Sequence, residues 1–146
     1  MLVEIINNIV NREKCYNDGK QYVKKFTGST KNACASVASS YLINAGYDIK
    51  RTLNTKSLCL QLLQNYESEI ILFVEDIKAG DILFSSDLAG MYMPDHVCIC
   101  HHIEGKRIFV LDNYSINSHE RNMRAGKRTP FAFGLRVEQK NKGEMK

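Results

Sequence analysis

Leu2, Ile5, Ile6, Ile9 and Val10 recur at helical spacing, so the first dozen residues read as an amphipathic helix. Asn17-Asp18-Gly19 reads as its interruption and Gln21 to Phe26 as a second short helix. A third helix is expected from about Ala33 to Ala45, with Asn32 or Thr30 as N-cap and Gly46 at the left-handed C′ position. Its small residues at 33, 35, 36, 38, 39 and 40 mark it as a buried central helix. Leu58, Leu62 and Leu63 form the inner face of another helix, from Lys56 to Asn65 and capped by Thr55. The period then changes from helical to strand-like. Strands are expected at 70–74, 82–85, 96–103, 107–112 and 131–137, with turns at Lys78-Ala79-Gly80-Asp81 and Glu104-Gly105-Lys106. Residues 115–129 read as a polar loop, and 138–146 as a tail that frays. Helices followed by an antiparallel meander make the fold class α+β.

Composition sets the scale. The chain has 146 residues, of which 44% are hydrophobic and 25% charged. That fits a single domain with one core, centred on 28–137, which needs no staple of metal or disulfide. The net charge of +4 is mild. Arg121, Arg124, Lys127 and Arg128 form the densest basic run, without the interleaved aromatics of a nucleic-acid binder. Five cysteines, an odd number without regular spacing, do not make a disulfide framework and point to a reducing compartment. The apolar stretches are too short for a signal h-region or a bilayer span. The expectation is cytoplasmic synthesis without a signal peptide and without membrane insertion.

Candidate chemistry starts at Cys34, in the first turn of the central helix. A thiol attacks as thiolate, and free N–H groups and the helix dipole favour an anion there. They could also stabilise an oxyanion on a substrate. The competing reading is a buried cysteine filling space. Of the four histidines, His96 opens a strand beside a loop and is the candidate base. His101 and His102 lie roughly 16 Å further along that strand and read as hairpin residues. His119 falls in the polar loop and reads as solvated. The next strand returns toward His96 and ends in Asp112-Asn113, either of which could orient the imidazole. Ile108, Val110 and Asp112 share one face and Phe109, Leu111 and Asn113 the other, with Asp112 favoured. Tyr92 and Met93, leading into His96, are candidates for substrate contact beside Asn32. The loop 86–94, the segment 47–54 and the loop 115–129 are expected to wall the cleft.

The string Asn32-Ala33-Cys34-Ala35-Ser36-Val37-Ala38 resembles the nucleophile helix of NlpC-type and CHAP cell-wall hydrolases. Ile77-Lys78-Ala79-Gly80-Asp81-Ile82-Leu83-Phe84 is similar to their proline-glycine-aspartate strand entry, with Ala79 in place of proline. Asp95-His96-Val97-Cys98-Ile99-Cys100 resembles their histidine strand, with Cys98 where glycine is common, and Phe133 to Val137 their closing strand. The resemblance covers about residues 28 to 137 in the family's order. It implies a papain-like fold, thiolate attack on an amide, an acyl-enzyme and hydrolysis by water, with no cofactor. It also implies a peptidoglycan peptide as substrate, and with it delivery to the cell wall by a phage or secretion system and an inhibitory or immunity protein as partner. Many NlpC-type enzymes use a second histidine as third residue, and 108–113 holds none. Relatives with a carboxylate or asparagine there fit better.

Rival readings draw on the same residues. Asp95, His96, Cys98, Cys100, His101 and His102 are metal-ligand types, but His96, Cys98, Cys100 and His102, which face one way on a strand, span too far for one ion. The expectation is no metal, with Cys98 and Cys100 packed against the nucleophile helix, Cys59 buried and Cys15 partly exposed. The sequence also fits a protease or deamidase that acts on a protein, and a non-catalytic module of the same fold.

Overall fold

A computed structural model describes residues 2–29, 33–85, 96–123 and 131–141 of the chain. The first apolar pattern breaks at Asn7-Asn8, between α1 (Leu2–Ile6) and α2 (Ile9–Thr27). Asn8 causes the break: its side chain accepts from the N–H groups of Val10 and Asn11 at 3.0 and 3.2 Å and caps α2. Helix α2 then runs straight through Asn17-Asp18-Gly19, contrary to the turn expected there, and absorbs the short helix expected at 21–26. Gly19 serves packing: a Cβ there would lie 2.6 Å from the Val37 Cα of the next helix.

That helix, α3 (Cys34–Asn44), is buried at every residue from Cys34 to Leu42. It ends at Ala45, and Gly46 follows with φ +96°. Helix α4 (Thr55–Asn65) is capped by Asn54, whose side chain accepts from Ser57 N–H at 3.0 Å. Thr55, expected as the cap, is the first helical residue.

Six strands follow: β1 (Tyr66–Ile71), β2 (Ile82–Ser85), β3 (His96–Glu104), β4 (Arg107–Asp112), β5 (Ser115–Glu120) and β6 (Phe131–Asn141). The first strand starts straight after α4, earlier than expected, and Val74–Asp76 is a 3-10 turn. The sheet is antiparallel in the order β1-β6-β2-β3-β4-β5. Strands β2 to β5 form the expected meander, and β6 returns to insert between β1 and β2. Strand β5 occupies a segment read as loop. It pairs with β4 across a two-residue turn at Asn113-Tyr114, Asp112 opposite Ser115. As an edge strand it is only partly buried, so it carries no apolar alternation. Strand β6 runs past Val137 and pairs Asn141 with Tyr66.

The two faces of the sheet hold different cores. Ile82, Phe84, Val97, Ile99, Leu111 and Leu135 pack with α1 to α4. Leu83, Cys98, Cys100, Ile108 and Val110 pack with Ile71, Ile77 and Met123 on the other side. Cys98 and Cys100 therefore face away from the helices, correcting the expectation that they pack on α3. The turn before β2 is fixed by Asp81, 1% exposed, which accepts from Arg136 Nε and Nη2 at 2.9 and 2.8 Å and from Lys78 N–H at 2.8 Å.

Candidate functional site

Cys34 is the first residue of α3, preceded by Ala33 at the cap position with no side-chain capping bond. Ala33 itself has no polar side chain to compete for the first-turn N–H groups. Asn32 and Thr30, the expected caps, lie outside the described residues, as do Tyr92, Met93 and the loop 86–94. The Cys34 Sγ stands 3.7 Å from Thr55 Oγ1, both buried. Asn54 caps α4, which leaves the Thr55 hydroxyl for the thiol. The first residues of two helices thus meet at one sulfur, each bringing the positive end of its dipole. Sequence reading missed Thr55 because a cap would have turned its hydroxyl back onto its own helix.

His96, half of the expected acid–base pair, begins β3 and is 9% exposed. Its Nε2 lies 3.8 Å from Asp112 Oδ2. The β3–β4 register, Ile99 opposite Leu111, brings Asp112 to this level, and alternation puts it on the face of Val110, Cys98 and His96. Asn113 lies in the turn that follows β4. Its backbone carbonyl accepts from Tyr16 OH at 3.3 Å.

Asp112 is 1% exposed and has a second imidazole partner, which sequence reading placed in solvent. His119 Nε2 stands 3.0 Å from Asp112 Oδ1, which also accepts from Tyr114 N–H at 2.9 Å. The signal was the Asn113-Tyr114 turn: a two-residue hairpin there carries His119 back beside β4. Around this end of the sheet Ser85 Oγ, Asp112 Oδ2, Asn113 Oδ1 and Tyr41 OH are buried without a hydrogen-bond partner among the described residues. Such atoms are costly and concentrate where a protein does something other than pack. Burial pushes the Tyr41 phenol up, and Cys15 and Asp112 add to this against Arg12. Burial lowers the Lys20 ammonium while Asp112 raises it.

Cys34 and His96 approach β3 from different sides. Cys34 belongs to the helix-side core with Val97 and Ile99, whereas His96 alternates with them. The thiol still lies near enough to Cys98, two residues along, to disfavour its ionisation. The other cysteines are space fillers. Burial pushes Cys98 far up, with Asp112, Cys100 and Cys34 adding and Arg121 opposing. Burial pushes Cys100 up to about 12 and Cys15 to about 11. Cys15 is fully buried, correcting the expectation of partial exposure. His101 is the extra residue of a bulge in β3, its Nδ1 2.6 Å from His102 Nδ1, and His102 stacks on Phe109.

Among the described residues no cluster of three or more His, Cys, Asp or Glu is arranged to hold a metal ion, and no helix is long and apolar enough to cross a membrane. No family model, curated protein or solved structure matches the chain.

Proposed function

We propose that the chain is a papain-like cysteine hydrolase that cleaves an amide bond, with Cys34 as nucleophile, His96 as base and Asp112 as its orienting carboxylate. The observation that carries this is the buried His96–Asp112 pair at 3.8 Å, at the end of the strand against which the first turn of α3 packs. With Nε2 turned to Asp112, Nδ1 is the ring nitrogen that serves the thiol. His96 is the first residue of β3, so its ring stands at the sheet margin. For the reaction, the thiol and the ring have to meet around the end of β3, since they lie on its opposite faces.

The reaction follows from these groups. His96 takes the Cys34 proton, and the thiolate attacks the amide carbonyl carbon, forming a C–S bond. First-turn N–H groups of α3 stabilise the oxyanion. The C–N bond breaks as the imidazolium returns its proton to the leaving amine. Water, deprotonated by His96, attacks the thioester and releases the acid and Cys34. Asp112 stabilises the imidazolium in both halves. The sequence resemblance supports a peptidoglycan peptide as substrate.

One observation favours a second reading, a non-catalytic module of the same fold. Cys34 turns to Thr55 on the helix side, while His96 lies on the other face. Two measurements separate the readings. Native protein is treated with iodoacetamide at neutral pH, and alkylation of each thiol is followed by mass spectrometry. In parallel, wild type, Cys34→Ala and His96→Ala are incubated with purified peptidoglycan fragments and the products weighed. The hydrolase reading expects Cys34 to react far faster than the other four thiols, and products only from wild type. Turnover surviving in Cys34→Ala, or uniform slow alkylation of all thiols, would falsify it.

A further inference from the structure

Asp112 is placed between two histidines rather than one. Its Oδ1 holds His119 Nε2 at 3.0 Å, and its Oδ2 faces His96 Nε2 at 3.8 Å. A carboxylate only accepts, so the 3.0 Å contact makes His119 the donor. The backbone N–H of Tyr114 holds the same Oδ1 at 2.9 Å. Two donors on one oxygen fix the plane of the carboxylate and leave the other oxygen for His96. Asp112 is 1% exposed, so without them the carboxylate is left under-bonded in a low-dielectric site. The His119 side chain is 35% exposed, on an edge strand whose turn is held to α2 by Tyr16 OH on the Asn113 carbonyl. It is therefore open to water in a way that Asp112 is not.

We propose that His119 is a positioning residue for His96, acting through the Asp112 carboxylate. This rests on the hydrolase reading for its catalytic consequence, though the coupling of the two rings stands on geometry alone. The His119 N–H fixes the carboxylate with Oδ2 toward His96, where its charge stabilises the imidazolium. Among the described residues, Asp112 also acts electrostatically on Lys20 of α2, Tyr41 of α3 and Cys98 of β3. Neither the phenol nor the Cys98 thiol ionises in the neutral range, since burial raises both. Burial lowers the Lys20 ammonium, and the Asp112 charge opposes that. The side chain that donates to Asp112 Oδ1 is His119.

The test is made on the full chain with His119→Ala, His119→Gln and wild type. The imidazole signals of His96 and His119 are titrated by NMR, and the iodoacetamide rate at Cys34 is followed from pH 5 to 8. The expected result has three parts. In His119→Ala the His96 midpoint falls. Its Cys34 alkylation slows roughly five- to tenfold at neutral pH, the worth of one hydrogen bond. His119→Gln, which keeps an N–H donor, restores most of the rate and most of the His96 midpoint. A simple loss of packing would move thermal stability and leave the His96 midpoint in place. An unchanged His96 midpoint in His119→Ala overturns the inference, and so does a Gln variant no better than Ala. If wild-type Cys34 reacts no faster than a free cysteine, the hydrolase reading fails instead, and the NMR coupling still decides whether His119 acts on His96.

Discussion

Gly19→Ala places a methyl group in the middle of α2, and two effects of opposite sign compete. Alanine is the better helix former by about 1 kcal/mol in a helix interior. On that ground alone the variant is more stable. The structure reverses the sign. The new Cβ would lie 2.6 Å from Val37 Cα, 2.8 Å from Val37 N and 2.8 Å from Val37 Cγ2. Two of these atoms are backbone, so rotamer adjustment cannot relieve the contact. Helices α2 and α3 must part by roughly 1 Å to restore ordinary carbon–carbon spacing of about 3.5–4.0 Å. Overpacking of this kind costs about 1–3 kcal/mol. The same displacement stretches the 2.8 Å bond from Ser36 Oγ to the Gly19 carbonyl, whose loss costs about 1 kcal/mol more. The net is a destabilisation of about 1–3 kcal/mol. Urea unfolding followed by circular dichroism at 222 nm measures it, since the chain has no tryptophan. Asn17→Ala, on the exposed side of the same helix, is the control and should gain a few tenths of a kcal/mol. A Gly19→Ala protein as stable as Asn17→Ala, with an unchanged urea slope, would refute the claim that α2 and α3 touch backbone to backbone. It would also unsettle the position of Cys34, one turn before Val37 on the same helix.

Thr55→Val removes the hydroxyl at 3.7 Å from the Cys34 thiol and should slow its alkylation about threefold to tenfold, the range of one hydrogen bond. Thr55→Ser should keep the rate, while Asn54→Ala should cost about 1 kcal/mol of stability as a lost cap without slowing Cys34. Arg136→Met strips two bonds from the buried Asp81 carboxylate, and thermal unfolding should show a loss of about 2–3 kcal/mol, below the range of fully buried pairs because Arg136 is partly exposed. His101 is held below its ordinary value of 6.5 by burial first, then by His102 and Arg12, with Ile6 opposing. The folded state therefore binds that proton less readily than the unfolded chain. The stability it contributes is present above about pH 6.5 and lost as pH falls through the lowered value. Urea midpoints at pH 5 and pH 7.5 should converge in His101→Gln relative to wild type. An identical pH dependence would show that His101 is not the group responsible.

The main elements were readable from period and punctuation where burial is one-sided or complete. Helix α3 announced itself through small residues and Gly46, and β3–β4 through alternation around Gly105. Gly19 was misread because a buried helix–helix contact and a turn select the same residue. Thr55 was misread for the converse reason: Asn54 and Thr55 are both capping types, and only the geometry decides which one bends back. In the site, period two put Val110 and Asp112 on one face of β4 but could fix neither their register against His96 nor which side of the sheet α3 would cover. That side depends on how the helices fold over strands far away in sequence. As a result Cys98 and Cys100 were placed against α3, and the separation of Cys34 from His96 by the plane of β3 went unseen.

His119 was hidden for a more general reason. Hydrophobic alternation detects strands that bury one face, whereas β5 is an edge strand whose residues are all partly or fully exposed. A polar side chain that reaches both water and a buried carboxylate belongs on such an edge. The His119 side chain, 35% exposed, meets water on one side and Asp112 on the other. The partial exposure that keeps His119 in contact with water is what removed its strand from the apolar pattern. Turn chemistry at Asn113-Tyr114, which does not depend on burial, is therefore the better guide to residues of this kind.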